Sequence, residues 1–438
     1  MKQAEASYRT AGVEGLTYYA AQANPMPARP RLTGTHRCDV CIVGGGFTGL
    51  STALHLASRG YEAVVLEAER IGAGASGRNS GFVLPGYAMD IDELCAVLGE
   101  LHAERAWRLS VEAVGLVANL VARHGIACDL KPGALTAAAA PTDVDTLAEQ
   151  ARLMRGFGYG RIELLDRAAV RGIVSSPNYF GGLLDMGALH LDPLHYAHGL
   201  ARAALVAGAS IHEDSAVVRI EQGEHLRAVT AQGVVEARYV VLAANAYLGA
   251  LAPRIARRIV PVTALIGATA SLGADTARRL LKRDVAVFDT QPALDYYRLT
   301  SDHRLIFGSA TRFIRPSAAR SAAWLERQLA RVFPQIATPR MEYVWRGQVD
   351  LTRNRLPDLG REGDVWYAQG FNGHGVALTT LAGRAIADAI AGHDEDWATL
   401  ASLPYRPWPG GAALSGALLP FVRGFMQLRH AVARRLAR

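Results

Sequence analysis

Two stretches of the chain share one pattern: a short apolar run, a glycine-rich turn and a helical repeat of apolar positions. In the first, Val40, Ile42 and Val43 predict a buried strand, and the turn Gly44-x-Gly46-x-x-Gly49 follows at once. The second begins at residue 365, turns through the glycines of 370–375 and continues as a helix to about residue 391. Strands followed directly by turns and helices predict an α/β fold with a Rossmann-like parallel sheet.

A different pattern covers the middle of the chain. Apolar positions recur at threes and fours over 91–125, which predicts a helix, and again over 318–332. Short β-favouring runs occupy 260–269, 285–290, 296–300 and 305–308, and the last two are separated by the polar residues 301–304. These runs predict a hairpin within an antiparallel sheet that carries a helix on one face.

The two patterns alternate along the chain, so we expect two interleaved domains rather than two consecutive ones. The predicted division is a leader at 1–37, a nucleotide-binding domain at 38–90, 185–255 and 346–400, a substrate domain at 91–184 and 256–345, and a basic tail at 401–438.

The first glycine turn has the composition of a dinucleotide site. Glycine allows a tight turn, lets the backbone approach a pyrophosphate and lets the helix lie close to the strand. The start of that helix offers free N–H groups and partial positive charge to phosphate. Glu67 ends the next predicted strand, Ala63–Leu66, where a carboxylate accepts hydrogen bonds from a ribose diol.

A second glycine-rich loop, Gly72–Gly81, follows Glu67 closely and has too many glycines for a core helix or strand. With this loop the chain resembles the D-amino-acid-oxidase-like flavoprotein amine oxidases. The resemblance implies that the loop reaches the pyrophosphate and the flavin ring, and that the fold is of the glutathione-reductase type. It implies non-covalent FAD, because no cysteine stands where a covalent link would form. A nicotinamide dehydrogenase, which has no need for this loop, is the alternative.

The same resemblance assigns the remaining cofactor contacts. Residues 216–218 would meet the adenine, the turn after 239–243 would close near the pyrophosphate, and the helix start at Gly373-His374-Gly375 would face the N1/O2 edge of the flavin. The predicted FAD contacts are Gly44, Gly46, Phe47, Thr48, Gly49, Glu67, Ala68, Gly74, Ala75, Ser76, Arg78, Asn79, Ser80, Gly81, Val217, Ala243, Asn245, Gly370, Gly373, His374, Gly375 and Val376.

Within the family, four segments look most like the bacterial γ-glutamylputrescine oxidases. They are Tyr18-Tyr19 with Asn24-Pro25, the loop 74–79, the run 294–300, and 373–375 with 380–383. This likeness implies oxidation of the free primary amine of a γ-glutamyl-capped polyamine. Hydride would pass from the α-carbon to flavin N5, water would hydrolyse the imine to an aldehyde, and oxygen would be reduced to hydrogen peroxide.

Five residues near the predicted hairpin are the candidates for substrate binding. Tyr296, Tyr297 and Trp345 would form an electron-rich wall for the amine. Arg298 and Arg346 would hold a substrate carboxylate by bidentate pairing. The alternatives are strand packing for the aromatic residues and surface ion pairs for the arginines.

One position departs from the family. Sarcosine-oxidase relatives carry a lysine near the flavin that promotes reaction with oxygen, and here Ile306 aligns with it. A different electron acceptor is therefore an open alternative, in a membrane-associated amino-acid or amine dehydrogenase. The basic apolar tail, with leucines and phenylalanines between five arginines from 423 onward, could then lie on an anionic membrane surface. A tail docked on its own protein is the other interpretation.

Charge and cysteines narrow the remaining possibilities. The net charge of +7 owes most to the tail, and no basic patch interleaved with aromatic residues supports nucleic-acid binding. Cys38-x-x-Cys41 enters the first strand and no second Cys/His pair lies near, so we expect structural thiols and no metal site. The first residues lack an apolar signal region and no run of 18 apolar residues occurs, so we expect a cytoplasmic protein. A flavin-binding protein without turnover is a further alternative, and the oligomeric state stays open.

Overall fold

The structure is a computed structural model, and it describes residues 16–23, 26–291, 294–309 and 318–409. The described strands are β1 (Gly34–Val43), β2 (Ala63–Leu66), β3 (Phe82–Val83), β4 (Lys131–Ala138), β5 (Ile162–Asp166), β6 (Gly181–His190), β7 (Ser210–His212), β8 (Arg219–Glu221), β9 (Leu226–Val229), β10 (Gly233–Leu242), β11 (Val260–Thr269), β12 (Ala286–Asp289), β13 (Asp295–Leu299), β14 (Leu305–Ser309), β15 (Met341–Leu351), β16 (Asp358–Glu362) and β17 (Val365–Gln369). The described helices are α1 (Tyr18–Gln22), α2 (Phe47–Ala57), α3 (Ile91–Leu98), α4 (Glu100–His124), α5 (Pro141–Gly156), α6 (Arg167–Ile173), α7 (Pro193–Val206), α8 (Pro253–Ala256), α9 (Ala274–Leu280), α10 (Ala318–Val332), α11 (Gly375–Ile390) and α12 (Glu395–Ala401).

The first sheet has the strand order β16-β17-β10-β1-β2-β7, and β9 and β8 branch antiparallel from β10. Its centre is parallel, from β17 through β10 and β1 to β2 and β7. Along β1, Ile42 packs into the cluster on the α2 side, whereas Cys41 and Val43 pack into the opposite cluster. Apolar residues at consecutive positions are therefore explained by a sheet that is buried on both faces.

The helices α2 and α11, which begin at the two glycine turns, pack tightly against each other. A side chain at Gly383 would come within 2.5 Å of the carbonyl oxygen of Thr48. The Ser51 hydroxyl donates to the carbonyl oxygen of Thr380 at 2.7 Å. This close contact fixes the starts of both helices relative to each other.

The second sheet has the order β15-β11-β14-β13-β12-β4-β6-β3, with β5 paired to β6. Its pairings are antiparallel except for β12 with β4. One face carries large apolar residues such as Phe307, which pack with Leu325 and Leu329 of α10. The other face includes the small residues Ala134 and Ala286, and this difference leaves room for a cavity.

Several predicted elements are present and others are corrected. The hairpin is β13 with β14, where Arg298 lies opposite Ile306, and the helix over 318–332 is α10. The helix predicted over 91–125 is instead two helices, because Gly99 adopts a φ of +76° between them. In the predicted leader, Tyr19 of α1 is fully buried and β1 begins already at Gly34.

The two sheets draw their strands from different segments of the chain. The first sheet takes strands from all three nucleotide-binding segments, 38–90, 185–255 and 346–400. The second takes most of its strands from 91–184 and 256–345, and β3 joins it from the first segment. The exact domain limits stay a prediction. Within the described ranges, no helix combines the length and apolar character that crossing a membrane requires.

Candidate active site

A cavity of about 1570 Å³ extends from the carboxyl ends of the first sheet's strands to the small-residue face of the second sheet. Open α/β sheets bind ligands at this edge, outside the carboxyl ends of the strands. The volume exceeds that of an ordinary small-molecule pocket, so it has room for a dinucleotide and a second ligand.

The first glycine turn is shaped by contacts that no side chain would permit. Gly44 has a φ of +114°, and an added Cβ would lie 2.7 Å from the carbonyl oxygen of Ala243. At Gly49 an added Cβ would lie 2.0 Å from the carbonyl oxygen of Gly44. Because this space is closed to side chains, the backbone at 44–46 stays bare toward the cavity, and Gly44 to Thr48 line it.

Glu67 stands at the end of β2 and closes this turn. Its carboxylate accepts from the backbone N–H of Gly45 at 2.6 Å and from that of Glu69 at 2.9 Å. Burial nevertheless raises the pKa of Glu67 to about 6, and the two backbone bonds only partly offset that effect. A ligand that donates hydrogen bonds to this carboxylate would favour its ionised form.

The loop Gly72–Gly81 is tied both to the first turn and to itself. The Ser76 hydroxyl accepts from the backbone N–H of Phe47 at 3.0 Å, which joins the loop to the start of α2. The Asn79 side-chain amide donates to the carbonyl oxygens of Ala75 and Ser76, and its oxygen accepts from Gly81 N–H at 2.7 Å. These bonds fix the conformation of the loop where it lines the cavity.

A buried arginine, Arg78, and a buried tryptophan, Trp345, connect the same loop to the second sheet. Arg78 is 2% exposed and donates to the carbonyl oxygens of Ala73 at 2.8 Å and Arg346 at 3.3 Å. The Trp345 indole donates to the carbonyl oxygen of Arg78 at 2.9 Å. Burial lowers the pKa of Arg78, although a guanidinium stays protonated throughout the physiological range.

The start of α11 forms the other side of this region. Gly373 to Val376 line the cavity, and the first N–H groups of a helix have no partner within the helix. The Nε2–H of His374 donates to the carbonyl oxygen of Pro85 at 3.1 Å, and burial lowers the pKa of the imidazole, so it is neutral. Asp350 accepts from the backbone N–H of Gly370 and steadies the turn.

A family model described as FAD dependent oxidoreductase matches residues 39–389. The chain belongs to this family. It is 40% identical over 404 residues to the gamma-glutamylputrescine oxidoreductase of Escherichia coli (strain K12), covering 91% of this chain and 94% of that protein. It is 38% identical to a probable oxidoreductase OrdL of Haemophilus influenzae, covering 86% and 89%. The glycine oxidase structure from Geobacillus kaustophilus has the same fold, with a TM-score of 0.68 over 81% of this chain and 95% of that one at 24% identity.

FAD is the cofactor of this family, and the cavity fits it. Each predicted FAD contact lines the cavity except Gly49, Gly81 and Gly370. Those three lie directly behind the lining, where an added Cβ would come within 2.4 Å of Gly44, Leu191 or Thr352 respectively. A bare glycine turn at a helix start, a buried carboxylate and a long cavity are what a dinucleotide requires. FAD would therefore be held by the residues that line the cavity from Gly44 to Ser80 and from Gly373 to Val376.

The five substrate candidates separate in the structure. Tyr296 lines the cavity, next to Phe82 at 6.2 Å between ring centroids. Tyr297 is fully buried on the other face of β13, where its hydroxyl lies 3.0 Å from that of Tyr179. Arg298 is 1% exposed and does not line the cavity. Neighbouring strand residues point to opposite faces, which accounts for the separation of Tyr296 from Tyr297.

The other candidates also lie behind the lining. Trp345 is fully buried and packs edge-on against Tyr19 at 5.5 Å between ring centroids. Arg346 is 7% exposed and does not line the cavity, and its carbonyl oxygen accepts a hydrogen bond from Arg78. Ile306, at the position of the family's lysine, is fully buried in the cluster that contains Trp345.

Tyr296, a predicted candidate, belongs to an aromatic pocket at the inner end of the cavity. The other residues of this pocket, Phe82, Phe288 and Asp289, were not predicted. The centroid of the Phe82 ring lies 6.3 Å from that of Phe288. Asp289 is 3% exposed and accepts from the backbone N–H groups of Gln291 and Asp295. No local sequence signal marks this set, because β3, β12 and β13 meet only in the folded sheet.

Sequence reasoning also missed a charged mouth at the outer end, formed by Asp90, Gln150, Arg353 and Arg355. Gln150 donates to Asp90, and Arg355 forms ion pairs with Asp90 at 3.8 Å and with Glu93. The side chains of Asp90 and Arg355 are 52% and 44% exposed, so this end of the cavity meets solvent. No group of histidine, cysteine, aspartate and glutamate in the described ranges could hold a metal ion.

Proposed function

We propose that this protein oxidises the terminal primary amine of a long, capped amine, with γ-glutamylputrescine as the leading substrate and FAD as the immediate electron acceptor. The observation that carries the proposal is the distribution of charge along the cavity. Among the described residues, the aromatic pocket contains one carboxylate, Asp289, and no cation. Of the three described arginines that line the cavity, Arg353 and Arg355 lie in the charged mouth and Arg78 lies in the flavin loop.

This distribution favours a simple amine over an α-amino acid at the reacting end. An α-amino acid brings a carboxylate one bond from the carbon that loses hydride, so its oxidase needs a cation beside the ring. The guanidinium of Arg78 is directed to the carbonyl oxygens of Ala73 and Arg346. An alkyl ammonium, in contrast, would be stabilised by the Tyr296 ring, and the negative charge of nearby Asp289 would favour it further.

The mouth suits the capped end of the same substrate. A γ-glutamyl cap ends in an α-ammonium group and an α-carboxylate. Arg353 lines the mouth and has no described carboxylate within 4.0 Å, so its charge can pair with the cap's carboxylate. Asp90 lies at the same end and offers a carboxylate to the cap's ammonium group.

When bound, FAD supplies the two-electron acceptor for hydride from the carbon next to nitrogen. The protein's part is to hold the neutral amine with that carbon over the ring and to exclude competing orientations. The amine R–CH2–NH2 loses hydride and a proton to give R–CH=NH, and water converts this imine to an aldehyde and ammonia. Oxygen then takes the two electrons and two protons and leaves as hydrogen peroxide.

The identity of the 40% relative agrees with this proposal, because its name describes the oxidation of γ-glutamylputrescine. The test is turnover with γ-glutamylputrescine, putrescine and glycine, with aldehyde, ammonia and hydrogen peroxide measured separately. We expect the highest kcat/KM for the capped amine and equal amounts of the three products. Glycine as the best substrate would overturn the proposal. Turnover with an artificial dye but not with oxygen would replace the oxidase by a dehydrogenase of the same amine.

A further inference from the structure

Arg298 is a charged residue that does not line the cavity, so substrate binding does not explain its presence. It is 1% exposed, and its Nε donates to the carbonyl oxygen of Ser80 at 2.7 Å. Its Nη1 donates to the carbonyl oxygen of Leu299 at 3.2 Å. Since Ser80 lines the cavity and Arg298 does not, a single peptide unit separates the guanidinium from the flavin site.

Among the described residues, no carboxylate pairs with the charge of Arg298, which bonds to backbone carbonyl oxygens. Its nearest described side-chain partner is Tyr19, whose ring centroid lies 5.9 Å from the guanidinium carbon. Burial and then the charge of Arg298 lower the pKa of nearby His190 to about 4, so this imidazole is neutral. On the same sheet Arg304 instead pairs with Asp302 at 2.7 Å and with Glu342 at 2.5 Å.

An unpaired buried charge costs several kcal/mol in desolvation unless something compensates for it. Carbonyl oxygens compensate in part, because each offers a partial negative charge. The bonds of Arg298 also continue toward the cavity. The N–H of the Ser80–Gly81 peptide donates to Asn79, and the Asn79 amide donates to Ala75 and Ser76. The cation thus stands behind an ordered chain of dipoles in the flavin loop.

We propose that Arg298 is a positioning residue whose unpaired charge, acting through the Ser80–Gly81 peptide, favours negative charge on the isoalloxazine ring. None of the described residues supplies a counter-charge, and the ring acquires a negative charge on reduction. In an interior with little water, a fixed charge interacts strongly with the charge on the ring. The protein also does not have to rearrange when the ring becomes charged, because the cation is already in place. Arg298 would thereby raise the reduction potential of the flavin and hold its loop in place.

The test uses sulfite, which adds through its sulfur lone pair to N5 of oxidised flavin and leaves a negative charge on the ring. The inference rests on the proposed placement of the flavin ring, but sulfite needs no amine, so a wrong substrate leaves the test intact. The variants are Arg298→Met and Arg298→Gln, which remove the charge, and Arg298→Lys, which keeps it. Arg304→Met is the matched control, because it removes the same charge from the same sheet where carboxylates pair with it.

We expect the sulfite Kd of the FAD-loaded Arg298→Met and Arg298→Gln proteins to rise at least tenfold. The midpoint potential should fall by about 30 mV for each tenfold weaker binding of the reduced relative to the oxidised cofactor. Arg298→Lys should stay within threefold of the original protein, and Arg304→Met should match it. Unchanged sulfite affinity and potential in a folded, FAD-loaded Arg298→Gln or Arg298→Met protein would overturn the inference. Equal loss in Arg298→Lys and the neutral variants would overturn it also, because shape and not charge would then be responsible.

Discussion

Glu67 is the buried carboxylate that meets the ribose in the proposed FAD pose. Burial raises its pKa to about 6 in the FAD-free protein, above its ordinary value, so the ionised fraction falls as the pH drops through 6. Because ribose hydroxyl groups donate to the ionised form, FAD affinity should fall about tenfold between pH 7 and pH 5. Quenching of FAD fluorescence by the FAD-free protein measures this. Glu67→Gln should bind FAD more weakly at pH 7 and lose the pH dependence. An equal decline in both proteins would contradict the assignment.

Gly81 is a position in the flavin loop that has no room for a side chain larger than a hydrogen atom. Its φ is +83°, and an added Cβ would lie 1.8 Å from the carbonyl oxygen of Leu191. Gly60 has a φ of +86° with no atom within 4 Å of the Cβ position, so it isolates the conformational cost. Gly60→Ala should cost about 1–2 kcal/mol of unfolding free energy.

Gly81→Ala should cost on the order of 3 kcal/mol or more and release FAD, because the clash adds to the same conformational cost. Denaturant unfolding with FAD present and the cofactor content after gel filtration measure both effects. Equal stability of the two variants would mean that the loop moves away from Leu191 at little cost.

At the scale of single residues, the sequence indicates which residue types form the site, but it does not indicate the direction in which each side chain points. The glycines, Glu67 and Ser76 were predicted because their chemistry is local. Tyr296 and Tyr297 were chosen together, yet they point to opposite faces of β13, and only the fold decides which face meets the cavity. Arg298 was predicted to bind substrate and instead bonds to backbone carbonyl groups.

At the scale of elements, the contact between the flavin loop and α2 depends on one hydroxyl. Ser76 accepts from Phe47 N–H, the first residue of the helix. Ser76→Ala leaves that N–H without its partner, which costs about 1 kcal/mol or more. We expect FAD affinity to fall several-fold and stability to fall by a similar free energy.

Ser215→Ala is the matched control for Ser76→Ala. Its hydroxyl accepts from Leu32 N–H at 2.9 Å, in a buried position that does not line the cavity. It should lower stability and leave FAD affinity unchanged. Isothermal titration with FAD and thermal unfolding, run on both variants, distinguish a loop contact from general loosening. A loss of FAD affinity in Ser215→Ala as large as that in Ser76→Ala would contradict this role for Ser76.

The strand–turn–helix units were predictable because their signals are short and local: apolar strand, glycine turn, apolar helix face. The break between α3 and α4 was missed because it depends on one positive φ at Gly99, in a region with unbroken helical periodicity. Helix α1 was missed because its stability comes from tertiary contacts, with Tyr19 packed on Trp345 and Tyr18 bonded to Asp302.

On the scale of the whole molecule, the cavity is lined by residues of both sheets. The aromatic pocket unites residues from β3, β12 and β13, and the charged mouth unites Asp90, Gln150 and Arg355. Because these residues are far apart in sequence, the family could be recognised from the chain, whereas the residues that line the two ends of the cavity could not. The tail from residue 410 onward lies outside the described residues, so its predicted membrane contact stays a prediction.

Substitution of Arg353 tests whether the substrate spans the cavity. Arg353→Met removes the proposed partner of the cap's carboxylate, so the KM for γ-glutamylputrescine should rise about tenfold or more with little change in kcat. Kinetics with uncapped putrescine should not change. Arg361→Met is the control, since Arg361 pairs with Asp364 at 2.9 Å on the exposed end of β16. Equal effects on capped and uncapped amines would remove Arg353 from cap recognition.

We propose that one continuous cavity holds FAD and delivers a capped primary amine to it. The most direct measurement is the anaerobic visible spectrum of the FAD-loaded protein, recorded while γ-glutamylputrescine is added. We expect the flavin band to bleach with one equivalent of amine per flavin, and an analogue acetylated at the terminal amine to have no effect. A flavin band that persists with γ-glutamylputrescine but bleaches with glycine would show that the cavity does not deliver the capped amine to FAD.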